Sequence, residues 1–267
     1  PFFYIARVFI PGLSSLTLIP FYLVFRKFDR QEVVLVATLL LAFSPFELSM
    51  LQIQMYRGIF ADLFLMAALY LAFTESRHIP LMALLSASAL FLTHVVPSLL
   101  YLATIFVYSL LYRKETDGKR CTAVLAISAA ISLISLAFFS PTIYSWLLSY
   151  VRSFALAEMP LVLNRIYFLR HALVSGAVLV TASTPALLRS IRSHATRDLA
   201  LPMFLSLGLL SLPLIVGAYR PSAPWIGDPL LTLWLDVKFP ITIFAARTIE
   251  LNSCLLYTSP SPRDRTR

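Results

Sequence analysis

The sequence predicts an all-α fold, a polytopic bundle of transmembrane helices, and three observations carry that expectation. Apolar residues make up 59% of the chain and charged residues only 13%, whereas soluble domains average about 45–50% and about 25%. Mean hydropathy is +0.81. The charges collect in short polar breaks between long apolar runs, so the excess apolar surface is expected to face acyl chains.

A helix needs about 20 apolar residues to cross the hydrocarbon. The first run is 8–25, closed by Arg26, Lys27 and Arg30. The second is 33–50, with Pro45 inside it, and the third is 58–73, closed by Glu75, Arg77 and His78. Residues 79–112 form one continuous apolar stretch, too long for a single ordinary span at about 1.5 Å per residue. Pro97 near its middle disfavours helical geometry at the residue before it. Two helices are expected, 79–96 and 98–112, with one kinked helix as the alternative. A basic loop leads to the sixth run, 121–140, ended by Pro141. The longest connection, 142–171, carries Tyr144, Trp146 and Tyr150, side chains suited to a membrane–water interface. Runs 172–188 and 199–218 complete eight spans, and 239–253 is a partial ninth. All belong to one domain over 1–253.

The net charge of +9 would suit nucleic acid if the basic residues shared one polar face, but they sit in loops between apolar runs, and no nucleic acid is expected. One set of alternate, short loops holds Arg26, Lys27, Arg30, Arg77, Arg113, Lys114, Lys119, Arg120, Arg189, Arg192 and Arg197. The opposite set holds Arg57, Arg152, Arg165, Arg170, Arg220 and Lys238, mostly in long loops. Short loops weigh most in the positive-inside rule. The first set is therefore expected in the cytoplasm and the long loops outside a cell membrane.

The two cysteines, Cys121 and Cys254, define no disulfide framework. The chain opens on Pro1 at the edge of an apolar run, and further sequence is expected upstream. From Cys254 to Asp264 the chain reads CLLYTSPSPRD, which resembles a translated sequencing-library adapter. Residues 254–267 are expected to be a non-native tail, outside functional reasoning. Without them the net charge is about +7.

No dinucleotide, phosphate-loop or zinc motif occurs, and the four histidines are scattered. No cofactor is evident, and a divalent metal has no support. The informative residues are ionisable groups at membrane depth or at the outer boundary, where they are costly and usually face a cavity or a partner. Glu47, Arg57, Asp62 and His94 fall near the outer ends of predicted spans. Arg152, Glu158, Arg165, Arg170 and His171 fall in the long outer connection or at its end. Asp62 is either half of a structural ion pair, with Arg57 or a neighbouring helix, or an acid lining an outward cavity together with Glu47 and His94. His94 is either a hydrogen-bonded interhelical histidine or a contact to a phosphate or sugar hydroxyl. Arg57, Arg152, Arg165 and Arg170, with His171, either snorkel to head groups or together bind a lipid phosphate, which arginine grips in bidentate fashion. Trp225 and Trp234 are expected as interfacial anchors.

An ordered series of short motifs adds a family resemblance. Ala6-Arg7, then Gly12-Leu13-Ser14-Ser15-Leu16-Thr17 and Tyr22-Leu23-Val24-Phe25-Arg26, resembles the second span of GT-C superfamily glycosyltransferases. Leu41-Ala42-Phe43-Ser44-Pro45 resembles the end of their next span. Arg57 to Asp62, running into Ala67-Ala68-Leu69-Tyr70-Leu71, is similar to the helix after that. Leu92-Thr93-His94 resembles an element of archaeal-type multispan relatives. The resemblance covers roughly residues 1–112. It implies a family-39-like hexosyltransferase that moves a sugar from a polyprenyl-phosphate-linked donor to an acceptor on the extracytoplasmic face, with membrane lipids and that donor as partners. The acidic outer loop that serves such enzymes as base or orienting group would lie upstream of Pro1, so no catalytic residue is assigned and this chain alone is expected to be inactive. The competing readings are a multispan transporter or lipid flippase, which would show repeats and midplane charges, and a scaffold without a cavity.

Overall fold

The computed structural model describes residues 12, 14–44, 56–74, 95–113, 116–139, 162–193, 198–218 and 235–258, with the side chains of part of these. Among them the chain is all-helical: α1 (Leu18–Phe25), α2 (Gln31–Ala42), α3 (Tyr56–Ala72), α4 (Val95–Leu111), α5 (Thr116–Phe139), α6 (Val162–Ser193), α7 (Ala200–Ala218) and α8 (Lys238–Thr258). The all-α expectation agrees with this. The transmembrane, GT-C-like part of it does not: among the described residues no helix is long and apolar enough to cross a membrane. The same finding overturns the expected integral, multi-pass placement in a cell membrane, with its cytoplasmic short loops and extracytoplasmic long ones. The physical reason is partly length: α1 and α2 have 8 and 12 residues, and α3 and α4 have 17 each, short of the about 20 that a crossing needs. Charge contributes too, since α8 carries Lys238, Arg247 and Glu250, and α6 carries Arg165, Arg170, Arg189 and Arg192.

Six helices close a ring of neighbours in the order α1, α2, α8, α7, α4, α3 and back to α1. Helix α6 packs against α8 and α7 from outside the ring, and α5 packs against α4. The ring buries Phe21, Phe25, Leu41, Leu65, Tyr101, Tyr108, Phe239 and Phe244. Phe21 lies 4.8 Å from Phe25 and 6.0 Å from Phe239, ring to ring, which fixes α1 against α8. Tyr101 Oη and Ser128 Oγ share a 3.3 Å hydrogen bond between α4 and α5, and burial pushes the Tyr101 phenol up to about 12.

Two boundaries differ from the sequence expectation. Pro97 lies inside α4, at its third position, and does not form a turn before it. In the first turn of a helix the missing N–H has no intrahelical partner to lose, so proline is tolerated there. Residues 162–171, expected in the long connection 142–171, form the start of the 32-residue α6.

Contacts between loops define one end of the bundle. Lys27 Nζ donates to the Phe73 carbonyl at 3.0 Å and to Thr74 Oγ1 at 2.6 Å, just past the ends of α1 and α3. Phe28, Phe73, Tyr108 and Tyr112 stack successively beside them, with centroids 4.7–5.1 Å apart. The Asp198 N–H donates to Tyr112 Oη at 3.1 Å, bringing the start of α7 to the end of α4. Thus α1, α3, α4, α6 and α8 run towards this end, and α2 and α7 start from it.

Candidate functional site

Asp62 occupies the second turn of α3, and Lys238 is the first residue of α8. Lys238 Nζ donates to Asp62 Oδ2 at 2.6 Å, with side-chain exposures of 0% and 2%. The ammonium also lies 5.0 Å from the centre of the Phe239 ring, a favourable position for a cation. Asp236, two positions before Lys238, is fully buried as well. Taking both charges of such a pair out of water costs several kcal/mol per ion, roughly what their attraction returns. The pair is therefore a weak source of stability and a strong local concentration of charge. Chemically it offers a dry ammonium able to hold a phosphate, and a carboxylate able to accept a proton.

A second cluster sits two and a half turns further along α8. Arg247 is bidentate to Asp29, Nε to Oδ1 at 2.7 Å and Nη2 to Oδ2 at 2.7 Å. It is bidentate to Asp198 too, Nη1 to Oδ2 at 2.9 Å and Nη2 to Oδ1 at 2.8 Å. Asp198 also accepts from Ser190 Oγ at 2.6 Å and from the Ala200 N–H at 2.9 Å, the second an N-cap bond to the start of α7. One guanidinium thus joins the α1–α2 corner, the end of α6, the start of α7 and α8.

The two carboxylates respond oppositely to this place. Burial pushes Asp29 above the usual carboxylate range; Arg247 opposes this without cancelling it, and Asp198 and Glu250 add to it. Burial pulls Asp198 upward too, but Arg247, Ser190 and the Ala200 N–H outweigh it and hold that carboxyl below the usual range. Burial disfavours charge on Arg247, and the two carboxylates overcome it and hold the guanidinium protonated more firmly than free arginine.

Of the residues expected to share a cavity, Asp62 alone has a described side chain. Glu47, His94 and Arg152 lie outside the described residues. Arg57 falls in α3, and Arg165, Arg170 and His171 in α6, with side chains outside the description. Trp225 and Trp234 also lie outside it. For Asp62 the ion pair is present, made with a neighbouring helix. Its partner is a residue expected in a loop: Lys238 opens α8 and is fully buried. Arg247, Asp29 and Asp198 carried no sequence expectation. The available signal was Arg247 itself, an ionisable group inside the apolar run 239–253. Among the described residues, no group of His, Cys, Asp and Glu is arranged to hold a metal ion.

No protein-family model matches this chain, and comparison with curated proteins and with solved structures likewise finds no match.

Proposed function

We propose that this chain takes part in transferring a sugar from a polyprenyl-phosphate-linked donor, with Lys238 as the cation for the donor's phosphate and Asp62 as its counter-ion. The observation that carries the reading is the completely buried Lys238–Asp62 pair. Perturbed, desolvated charge pairs concentrate at functional sites, and this one returns little stability for its desolvation. The ordered motif resemblance over residues 1–112 supplies the substrate class. On binding, the phosphate replaces one carboxylate oxygen as the acceptor from Lys238 Nζ, and Asp62 becomes available to accept the proton of an attacking hydroxyl.

A transporter reading would need polar groups continuous between the two charge clusters of α8. Between them Phe239, Ile243, Phe244, Ala245 and Ala246 are apolar and buried, and the buried Thr242 hydroxyl donates to the helix's own carbonyls at Lys238 and Phe239, so the transferase reading is favoured.

The test is binding of a polyprenyl-phosphate hexose to the purified chain, by titration calorimetry, against the matching polyprenol without phosphate. A preference for the phosphate of at least about tenfold is expected, since charge-assisted bonds to a desolvated ammonium are the stronger kind. Lys238→Gln should abolish the preference, and so should the double variant Asp62→Asn with Lys238→Gln, which removes both charges of the pair. Equal affinity for both lipids, or a preference that survives in the folded double variant, would overturn the reading.

A further inference from the structure

The end of the bundle that holds the Arg247 cluster carries a ring of cations on its outside. Arg26 caps the C-terminus of α1. Arg113 follows α4 by two residues, and Arg189 and Arg192 lie in the last turns of α6. All four are exposed. Arg30 stands beside them, 78% exposed at its side chain and 3.0 Å from Glu250. Counting Lys27 and Arg247, seven cations meet four carboxylates among the side chains described at this end: Asp29, Glu32, Asp198 and Glu250. Asp29 and Asp198 are turned inward to Arg247 and Glu250 is occupied by Arg30, so the outer face is more basic than the count implies.

Favourable placement of cations at helix C-termini explains individual members of this ring. It does not explain their apolar companions. Leu110 and Leu111 immediately precede Arg113 by two or three positions, and Leu188 and Ile191 flank Arg189 and Arg192. With Ile249 beside Glu250, these five side chains are 42–56% exposed. A nucleic-acid partner would reward the charges and gain nothing from the leucines. A surface of anionic head groups over acyl chains rewards both, because the guanidinium groups meet phosphates while the apolar neighbours enter the boundary beneath them.

We infer that this basic end of the bundle docks on an anionic lipid surface, the ring of Arg26, Arg30, Arg113, Arg189 and Arg192 contacting lipid phosphates and the adjoining apolar side chains entering the interface. The contact is independent of the proposed sugar transfer, which rests on the opposite half of α8.

Co-sedimentation of the purified chain with phosphatidylcholine vesicles, with and without phosphatidylglycerol, tests it. Binding should be at least tenfold tighter when phosphatidylglycerol is present and should weaken steeply as salt is raised. The variant carrying Arg26→Gln, Arg113→Gln, Arg189→Gln and Arg192→Gln should lose most of the preference, with unchanged helical circular dichroism. These positions make no ion pair among the described residues. Leu188→Ser with Ile191→Ser should weaken binding to both vesicle types. Equal binding to the two vesicles, an undiminished preference in the Gln variant, or tighter binding to duplex DNA than to the anionic vesicles would overturn the inference. Phosphatidylglycerol preference that is matched by competing inorganic phosphate at low concentration would also overturn it, by pointing to a small-anion pocket.

Discussion

Two buried charge clusters sit on the same helix and solve the same problem differently. At the start of α8, Lys238 meets one carboxylate of α3 in a contact closed to water. Further along, Arg247 meets two carboxylates from two other segments, and one of those is held by a serine and a backbone N–H besides. The second cluster distributes each charge over many fixed hydrogen bonds and joins four segments of chain. A charge held by many fixed hydrogen bonds across four segments is an architectural device, whereas a buried pair closed to water concentrates charge where a ligand's phosphate could use it.

The largest effect should come from breaking the wider cluster. Arg247→Met leaves two carboxylates without their shared cation and should cost about 4–5 kcal/mol in chemical unfolding. Asp62→Asn removes the carboxylate that Lys238 Nζ donates to and should cost about 3–4 kcal/mol. The comparison is sharpest in the repair. Asp62→Leu with Lys238→Met should return stability to within about 1 kcal/mol of the starting chain, or above it, because a well-packed apolar pair replaces a desolvated one. Replacing Arg247, Asp29 and Asp198 together should not recover in this way, since Ser190 and the Ala200 N–H would then lose their acceptor.

Within the wider cluster the two acids should separate. Asp198→Asn should cost about 2–3 kcal/mol and Asp29→Asn about 1 kcal/mol. Their pH dependence has opposite sign. Asp198, held below the usual range, stabilises the fold above the unfolded carboxylate value, and that contribution is lost as pH falls through its folded value. Asp29, held above the usual range, binds its proton more tightly in the folded chain, so its contribution is present at low pH and lost as pH rises through its folded value. Unfolding measured from acid to neutral pH should therefore show a gain on neutralisation that is larger in Asp29→Asn than in the unaltered chain, and smaller in Asp198→Asn. The smallest effect should be at Arg30→Gln, within about 0.5 kcal/mol, because the Arg30–Glu250 pair is largely exposed.

Asp62 was legible in the sequence as an acid in an apolar run, and the ion-pair alternative named a neighbouring helix without naming Lys238. Lys238 was assigned to a loop because a lysine at the edge of an apolar run reads as solvated. Its burial depends on α3 arriving beside α8 with a carboxylate at the same height. The basic residues expected in one alternate set of loops include Arg26, Lys27, Arg30, Arg113, Arg189 and Arg192, which share one end of the bundle, but Arg189 and Arg192 lie within α6 and not in a loop. For α1 to α4 the membrane-spanning assignment failed on helix length, and for α6 and α8 on charge within the helix, neither of which mean hydropathy reports.

Composition and the spacing of apolar runs determined by themselves that this chain would be helical, because those features act locally along the backbone. The partners of its charges were settled only by the packing. Arg247 lies 218 positions from Asp29 and 49 from Asp198, and Lys238 lies 176 from Asp62. A buried charge must find an opposite one, but which one it finds depends on the helices that the ring places side by side.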